Sequence, residues 1–95
     1  MSDDRYAVRF KRSVVRDIRR LDPAARSVVR AAIHDKLAAD PRCGKRLSGP
    51  RESGSDRPLW TLRVGDYRVI YVFSDAEVWV LVVRVGHRRG VFDGL

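Results

Sequence analysis

Between Leu59 and Val85 the chain carries three runs of β-branched and aromatic residues: Leu59 to Arg63, Arg68 to Phe73 and Val78 to Val85. Val64-Gly65-Asp66 separates the first two and Ser74-Asp75-Ala76-Glu77 the second two. Connections this short close hairpins and cannot carry a crossover, so the three runs must lie side by side as an antiparallel meander. The second and third runs are apolar on both parities. That pattern belongs to central strands covered on both faces.

One cover has to come from the N-terminal half. Arg5 to Phe10 alternates polar and apolar residues, with Tyr6, Val8 and Phe10 on one parity, and predicts a half-buried first strand. The period then changes: Phe10, Val14, Ile18 and Leu21 line one face of a helix while Lys11, Arg12, Arg16, Arg19 and Arg20 face elsewhere. Asp22-Pro23 supplies an N-cap followed by a proline at the first helical position, where its missing N–H costs nothing. The second helix has Val28, Val29, Ala32, Ile33 and Leu37 as its apolar set and ends at Asp40-Pro41. So short a junction folds the two helices into an antiparallel hairpin. Residues 41–58 have four Arg, one Lys, three Gly, three Pro and three Ser, the composition of an exposed basic loop. The expected architecture is α+β: an antiparallel four-stranded sheet packed on an N-terminal helical hairpin, in the order β-α-α-β-β-β, with the first strand at an edge. At 95 residues the chain is expected to form one domain, 1–95.

Charge narrows the partner. Twenty Lys and Arg stand against twelve Asp and Glu, a net charge of +8, and seventeen of the twenty are Arg. A guanidinium grips phosphate through a planar fork, whereas Lys is a point charge, so a polyanion such as nucleic acid is favoured over simple solubility. Cys43 is the only cysteine, which excludes an intramolecular disulfide and a thiolate metal cluster. The start, MSDDRYAVRF, lacks the apolar stretch of a signal peptide, and the longest apolar run, Val78 to Val83, is too short to span a bilayer. A cytoplasmic protein without membrane contact is expected.

The order of elements, LWTLRVGDYRVIY at 59–71, VRVGHRRGVF at 83–92, and Pro41 with Gly44-Lys-Arg-Leu-Ser-Gly49 together resemble the RelE/ParE superfamily of bacterial type II toxins, the RelE branch more than the ParE branch. The resemblance runs over essentially the whole chain, and RVGDYRVIY is its most specific piece. It implies a ribosome-dependent mRNA endonuclease that needs no metal or cofactor. It also implies a cognate acidic, RelB-like antitoxin, with a toxin–antitoxin heterotetramer as the assembly. In such an enzyme the ribose 2′-OH attacks the adjacent phosphate.

That reaction needs a base near the 2′-OH, cationic donors on the non-bridging oxygens, and an acid for the leaving 5′-oxygen. Arg63 and Arg68 flank the first meander turn and can meet across the strand pair. By resemblance, Arg68 matches the phosphate-contacting arginine of the family's GDYR and Arg88 the arginine of its C-terminal motif. His87 is the natural acid or base. Tyr67, beside Arg68, and Phe92 are candidates for stacking on a base. Phe92 can equally be a hydrophobic plug at the sheet end. Lys45 and Arg46, with Arg51 and Arg57, can meet the RNA backbone or simply keep a loop solvated. Asp66, Asp75 and Glu77 are too scattered for a metal site, and none is expected. Two departures from the RelE pattern stand out: Leu59-Trp60-Thr61-Leu62 has no lysine, and Phe92 stands where that type has a tyrosine. They leave room for a ParE-like gyrase inhibitor, or for a binding module that has lost catalysis.

Overall fold

The computed structural model describes residues 5–52 and 56–91, with Pro50 described in its backbone alone. The element order is β1 (Ala7–Phe10), α1 (Arg12–Arg19), α2 (Pro23–Ala32), a π-helical turn (Ile33–Leu37), a 3-10 turn (Pro41–Cys43), β2 (Lys45–Arg51), β3 (Pro58–Val64), β4 (Tyr67–Ser74) and β5 (Trp79–His87). The class is α+β and β3, β4 and β5 form the antiparallel meander, as the short turns require.

The sheet itself differs from the four antiparallel strands expected. It has five strands in the order β1-β5-β4-β3-β2 and is mixed, because β1 runs parallel to β5. Alternation in Arg5 to Phe10 fixes which face of β1 is buried; it says nothing of direction or neighbour. Those are set by long-range bonds, among them Ala7 N–H to the Val78 carbonyl and Lys11 N–H to the Val82 carbonyl, each 3.0 Å. The extra strand, β2, comes from the segment whose composition marks it as loop. It pairs with β3, whose outer edge would otherwise carry a row of unpaired backbone groups. An edge strand tolerates a proline and a left-handed glycine. Gly49 has φ 95°, and the register slips between Arg46 and Arg51.

Both faces of the meander are covered, as its two-parity pattern predicts. Val69, Tyr71, Val80 and Val82 are fully buried against Val14, Ile18, Leu21, Val29, Ile33 and Leu37 on the helical side. Burial of each such side chain is worth about 1.5–3 kcal/mol, so this layer dominates stability. On the other side Leu59, Ile70, Val72 and Val91 cluster with Leu47, Trp79, Leu81 and Val83. α1 packs chiefly on β5 and α2 reaches β3, so the helices spread over the sheet.

Asp22 caps α2 as predicted, its Oδ1 accepting from the Ala25 N–H at 2.8 Å. The second helix departs from expectation in two places. Val28 is 57% exposed and not on the buried face. The helix also widens into the π turn, where the Ala38 N–H bonds the Ile33 carbonyl and both Ile33 and Leu37 stay buried.

Beyond it, the end of the sheet opposite the β3–β4 turn is tied down by side chains. The Arg42 guanidinium pairs with both oxygens of Asp75, Tyr6 donates to the same carboxylate at 2.6 Å, and Tyr71 donates to the Pro41 carbonyl. Gly44 is obligatory here, since a Cβ would run into the Tyr71 hydroxyl and the Thr61 carbonyl.

Candidate functional site

The register of the meander decides which predicted residues meet. Arg63 on β3 stands directly opposite Arg68 on β4, and Arg68 in turn stands opposite Gly86 on β5. Directly opposed residues share a face of an antiparallel sheet, so the two guanidinium side chains rise from one row that ends in a residue with no side chain. The face is the one away from the helices, because Ile70, two residues from Arg68, belongs to the second apolar cluster. Like charges directly opposite are a disfavoured choice for stability alone, and an anion held by both would reward it.

The next row is Val64, Tyr67 and His87, and it looks the other way. Val64 is buried in the helix-side core and Tyr67 packs against that core, with the His87 ring edge-on to Tyr67 at 5.8 Å and 82°. His87 and Tyr67 therefore meet each other, on the pleat face opposite the Arg63–Arg68 row. His87 Nδ1 accepts from the Arg89 N–H at 3.2 Å, which leaves Nε2 to carry the proton of the neutral ring.

The chain turns immediately afterwards. The His87 carbonyl accepts from the N–H groups of both Gly90 and Val91, and the Arg88 N–H donates to the Asp66 carbonyl at 2.8 Å. This last bond ties the C-terminal turn to the β3–β4 turn. Arg88, exposed, thus sits beside the turn that Arg63 and Arg68 flank. Val91 folds back until its side chain is 3.4 Å from where a Gly86 Cβ would stand.

Of the basic residues predicted as a loop, Lys45 pairs with Thr61 and so shares the face of Arg63, two residues further along β3. Arg46 pairs with Trp60 and faces the other way, lining a cleft of about 300 Å³ with Leu47, Ser48, Gly49, Arg51 and Pro58. Arg51 donates to the Asp56 carbonyl and Arg57 stacks over the Trp79 ring at 4.8 Å, so both are engaged with the fold. Phe92 lies outside the described residues.

Sequence reasoning passed over two residues beside the site. Arg84, opposite Ile70, is on the Arg68 face and holds the Val91 carbonyl at 2.9 Å. A lone arginine inside the apolar run VLVVRVG was the available signal. Asp17, the one acidic residue between Arg5 and Leu21, accepts from the Val85 N–H at 3.2 Å. Its signal was an acid in an otherwise basic helix.

Among the described residues no group of His, Cys, Asp and Glu could hold a metal, and no helix is long and apolar enough to cross a membrane. Cys43 is exposed, and desolvation followed by the nearby Asp40 pushes its thiol up, away from the reactive thiolate.

The family model described as the ParE toxin of the type II toxin–antitoxin system parDE matches residues 8–92. The toxin RelG of Mycobacterium tuberculosis is 32% identical over 88 residues, covering 92% of this chain and 95% of its own. The solved RelBE2 toxin–antitoxin complex from the same organism has a chain of 32% identity that superposes with a TM-score of 0.75, covering 92% of this chain and 95% of that one. The archaeal RelE–RelB complex from Pyrococcus horikoshii OT3 shares the fold at 24% identity, with a TM-score of 0.70 over 90% of this chain and 98% of that one.

Proposed function

The chain belongs to the ParE-toxin family of type II toxin–antitoxin systems, and from that premise we propose that it is a ribosome-dependent mRNA endoribonuclease of the RelE kind. The observation that carries this reading is the cross-strand pair Arg63–Arg68 beside Gly86. Two guanidinium groups on one face match the two non-bridging oxygens of a phosphodiester, and Val91 closes over Gly86 beside them.

The step is a transesterification. The 2′-oxygen loses its proton and bonds to phosphorus while the bond from phosphorus to the 5′-oxygen breaks. The 5′-oxygen takes a proton, leaving a 2′,3′-cyclic phosphate and a free 5′-OH. Arg63 and Arg68 hold the charge that builds on the non-bridging oxygens, and Arg88 adds to this from the adjoining turn. His87, which lines the cleft at the end of β5 together with Arg84 and Gly86, exchanges a proton through Nε2. Lys45, on the Arg63 face, tracks the RNA backbone. No step calls for a metal or cofactor.

An acidic antitoxin of the RelB kind is the proposed inhibitor, in keeping with the net charge of +8 and with relatives solved as RelBE2 and RelE–RelB complexes. Its heterotetramer with the toxin, and a single toxin domain over 1–95, complete the proposal.

The test is primer-extension mapping of mRNA cleavage on expression of the toxin without antitoxin. Cleavage within translated frames that Arg68→Ala abolishes is the expected result. The ParE description of the family model favours a second reading, a gyrase inhibitor. Purified toxin that blocks DNA supercoiling and leaves translation intact would select it.

A further inference from the structure

β1 supports β5 only as far as the pair Phe10–Val82. Beyond Val82, β5 runs on for five residues, and the register shifts there by a bulge, since Tyr71 pairs with Val82 and Ile70 with Arg84. A strand that has just been re-phased and has lost its neighbour on one side is prone to fray. This stretch carries Gly86 to Arg68 and His87 to Tyr67, so fraying would blur the site.

Asp17 meets this need from α1. Its Oδ2 accepts from the Val85 N–H on the edge that β1 has vacated. Helix stability does not explain an acid here, because Asp17 lies in the C-terminal half of α1, where the helix dipole disfavours negative charge. Ser13, one helical turn earlier, and Asp17 line a cleft of about 370 Å³ with Arg84, Gly86, His87 and Gly90. Water reaches this edge and would compete for the Val85 N–H once the carboxylate is gone.

We propose that Asp17 is a positioning residue of the RNA site: its carboxylate takes the place of the missing strand and fixes the end of β5 that presents Gly86, His87 and Arg88. The inference rests on the RNA-cleavage reading above. Asp17 touches no reacting atom; it acts through the backbone of Val85.

The test uses the full chain and a short mRNA held in the A site of programmed ribosomes, with single-turnover cleavage measured against toxin concentration. Asp17→Ala is expected to lower the saturating rate by roughly 10- to 100-fold, the range for a reacting group displaced by about 1 Å, with the half-saturating concentration within about twofold. Asp17→Asn keeps an acceptor oxygen and is expected to recover most of the rate. Equal loss in both variants would assign the effect to charge and overturn the proposal. Amide hydrogen exchange supplies the second arm: Asp17→Ala speeds exchange at Val85 and leaves Val80 and Val82 protected. Unchanged exchange at Val85, or faster exchange with undiminished cleavage, would also overturn it. If the parent chain cleaves no mRNA on programmed ribosomes, the RNA reading itself has failed and the catalytic role of Asp17 falls with it, while the exchange arm still decides whether Asp17 holds β5.

Discussion

The two ends of β4 use arginine in opposite ways. At the Asp75 end, Arg42 is matched by a carboxylate that also takes the Tyr6 hydroxyl, and its guanidinium lies 5.1 Å from the centre of the Phe73 ring. At the Arg68 end, one arginine stands opposite another beside a glycine. The first arrangement closes charge on itself and joins β1, the 3-10 turn and the β4–β5 turn. The second sets two like charges on one face, where the proposed phosphate would meet both. Net positive charge alone does not distinguish these uses; pairing geometry does.

The sharpest way to break this contrast is Arg68→Ala. The rate of mRNA cleavage is expected to fall by a factor on the order of 10² to 10³, the usual loss on removing a donor to a charged transition state. A variant that unfolds more easily yet cleaves normally would place Arg68 with the structural arginines.

Gly44→Ala probes the other end. The added Cβ meets the Tyr71 hydroxyl and the Thr61 carbonyl, neither of which can move far. A loss of about 1–3 kcal/mol in urea unfolding is expected, with cleavage per folded molecule unchanged. Slowed cleavage at full stability would mean that the two ends are coupled.

Val78 sharpens the same point with a smaller effect. It has φ 57°, a left-handed conformation that a β-branched residue adopts only under constraint, and it is 41% exposed. Val78→Gly is expected to gain about 0.5–1 kcal/mol by calorimetry without altering cleavage, which would show this strain to belong to the turn and not to the chemistry.

The smallest effect is the pH dependence of the clamp. The Asp75 carboxyl is held below its ordinary value first by the bond from Arg42 and then by the bond from Tyr6. A depressed carboxyl contributes stability above the unfolded-state value, near pH 4, and loses it as pH falls through the lower folded-state value. The thermal midpoint of Asp75→Asn should therefore lie slightly below that of the parent at pH 6, and the gap should close below pH 4. A gap that persists at pH 2 would mean that the clamp acts through packing and not through charge. Because the pair is about half exposed to solvent, the shift at pH 6 is expected to be small.

Much of this molecule was legible in its residues, and the parts that were not share a cause. The meander was legible because turns of three or four residues admit only hairpins, and α1 because Val14, Ile18 and Leu21 keep helical spacing. The Asp22 cap was legible because an N-cap acts within three residues of itself. β2 was not, since Gly49 and Pro50 break alternation and the segment is a strand only because β3 offers it an edge. Val28 was misplaced because helical spacing alone does not locate the limits of a buried stripe. At the site, composition and motif picked out Arg63, Arg68, His87 and Arg88, and turn length predicted the first pair. They could not show that His87 packs with Tyr67 on the opposite pleat face, nor that Asp17, 68 residues from Val85, holds the end of β5.

What the sequence determined by itself was therefore everything carried by short-range rules: periodicity, turn length, capping, the excess of arginine, and membership of the meander. Only the tertiary structure decided the direction of β1, the fifth strand, the rows into which the arginines and His87 fall, and the partner of Asp17. The physical reason is that a one-residue change of register moves a side chain to the other face of a sheet. Register beyond a hairpin is set by contacts between residues far apart in the chain.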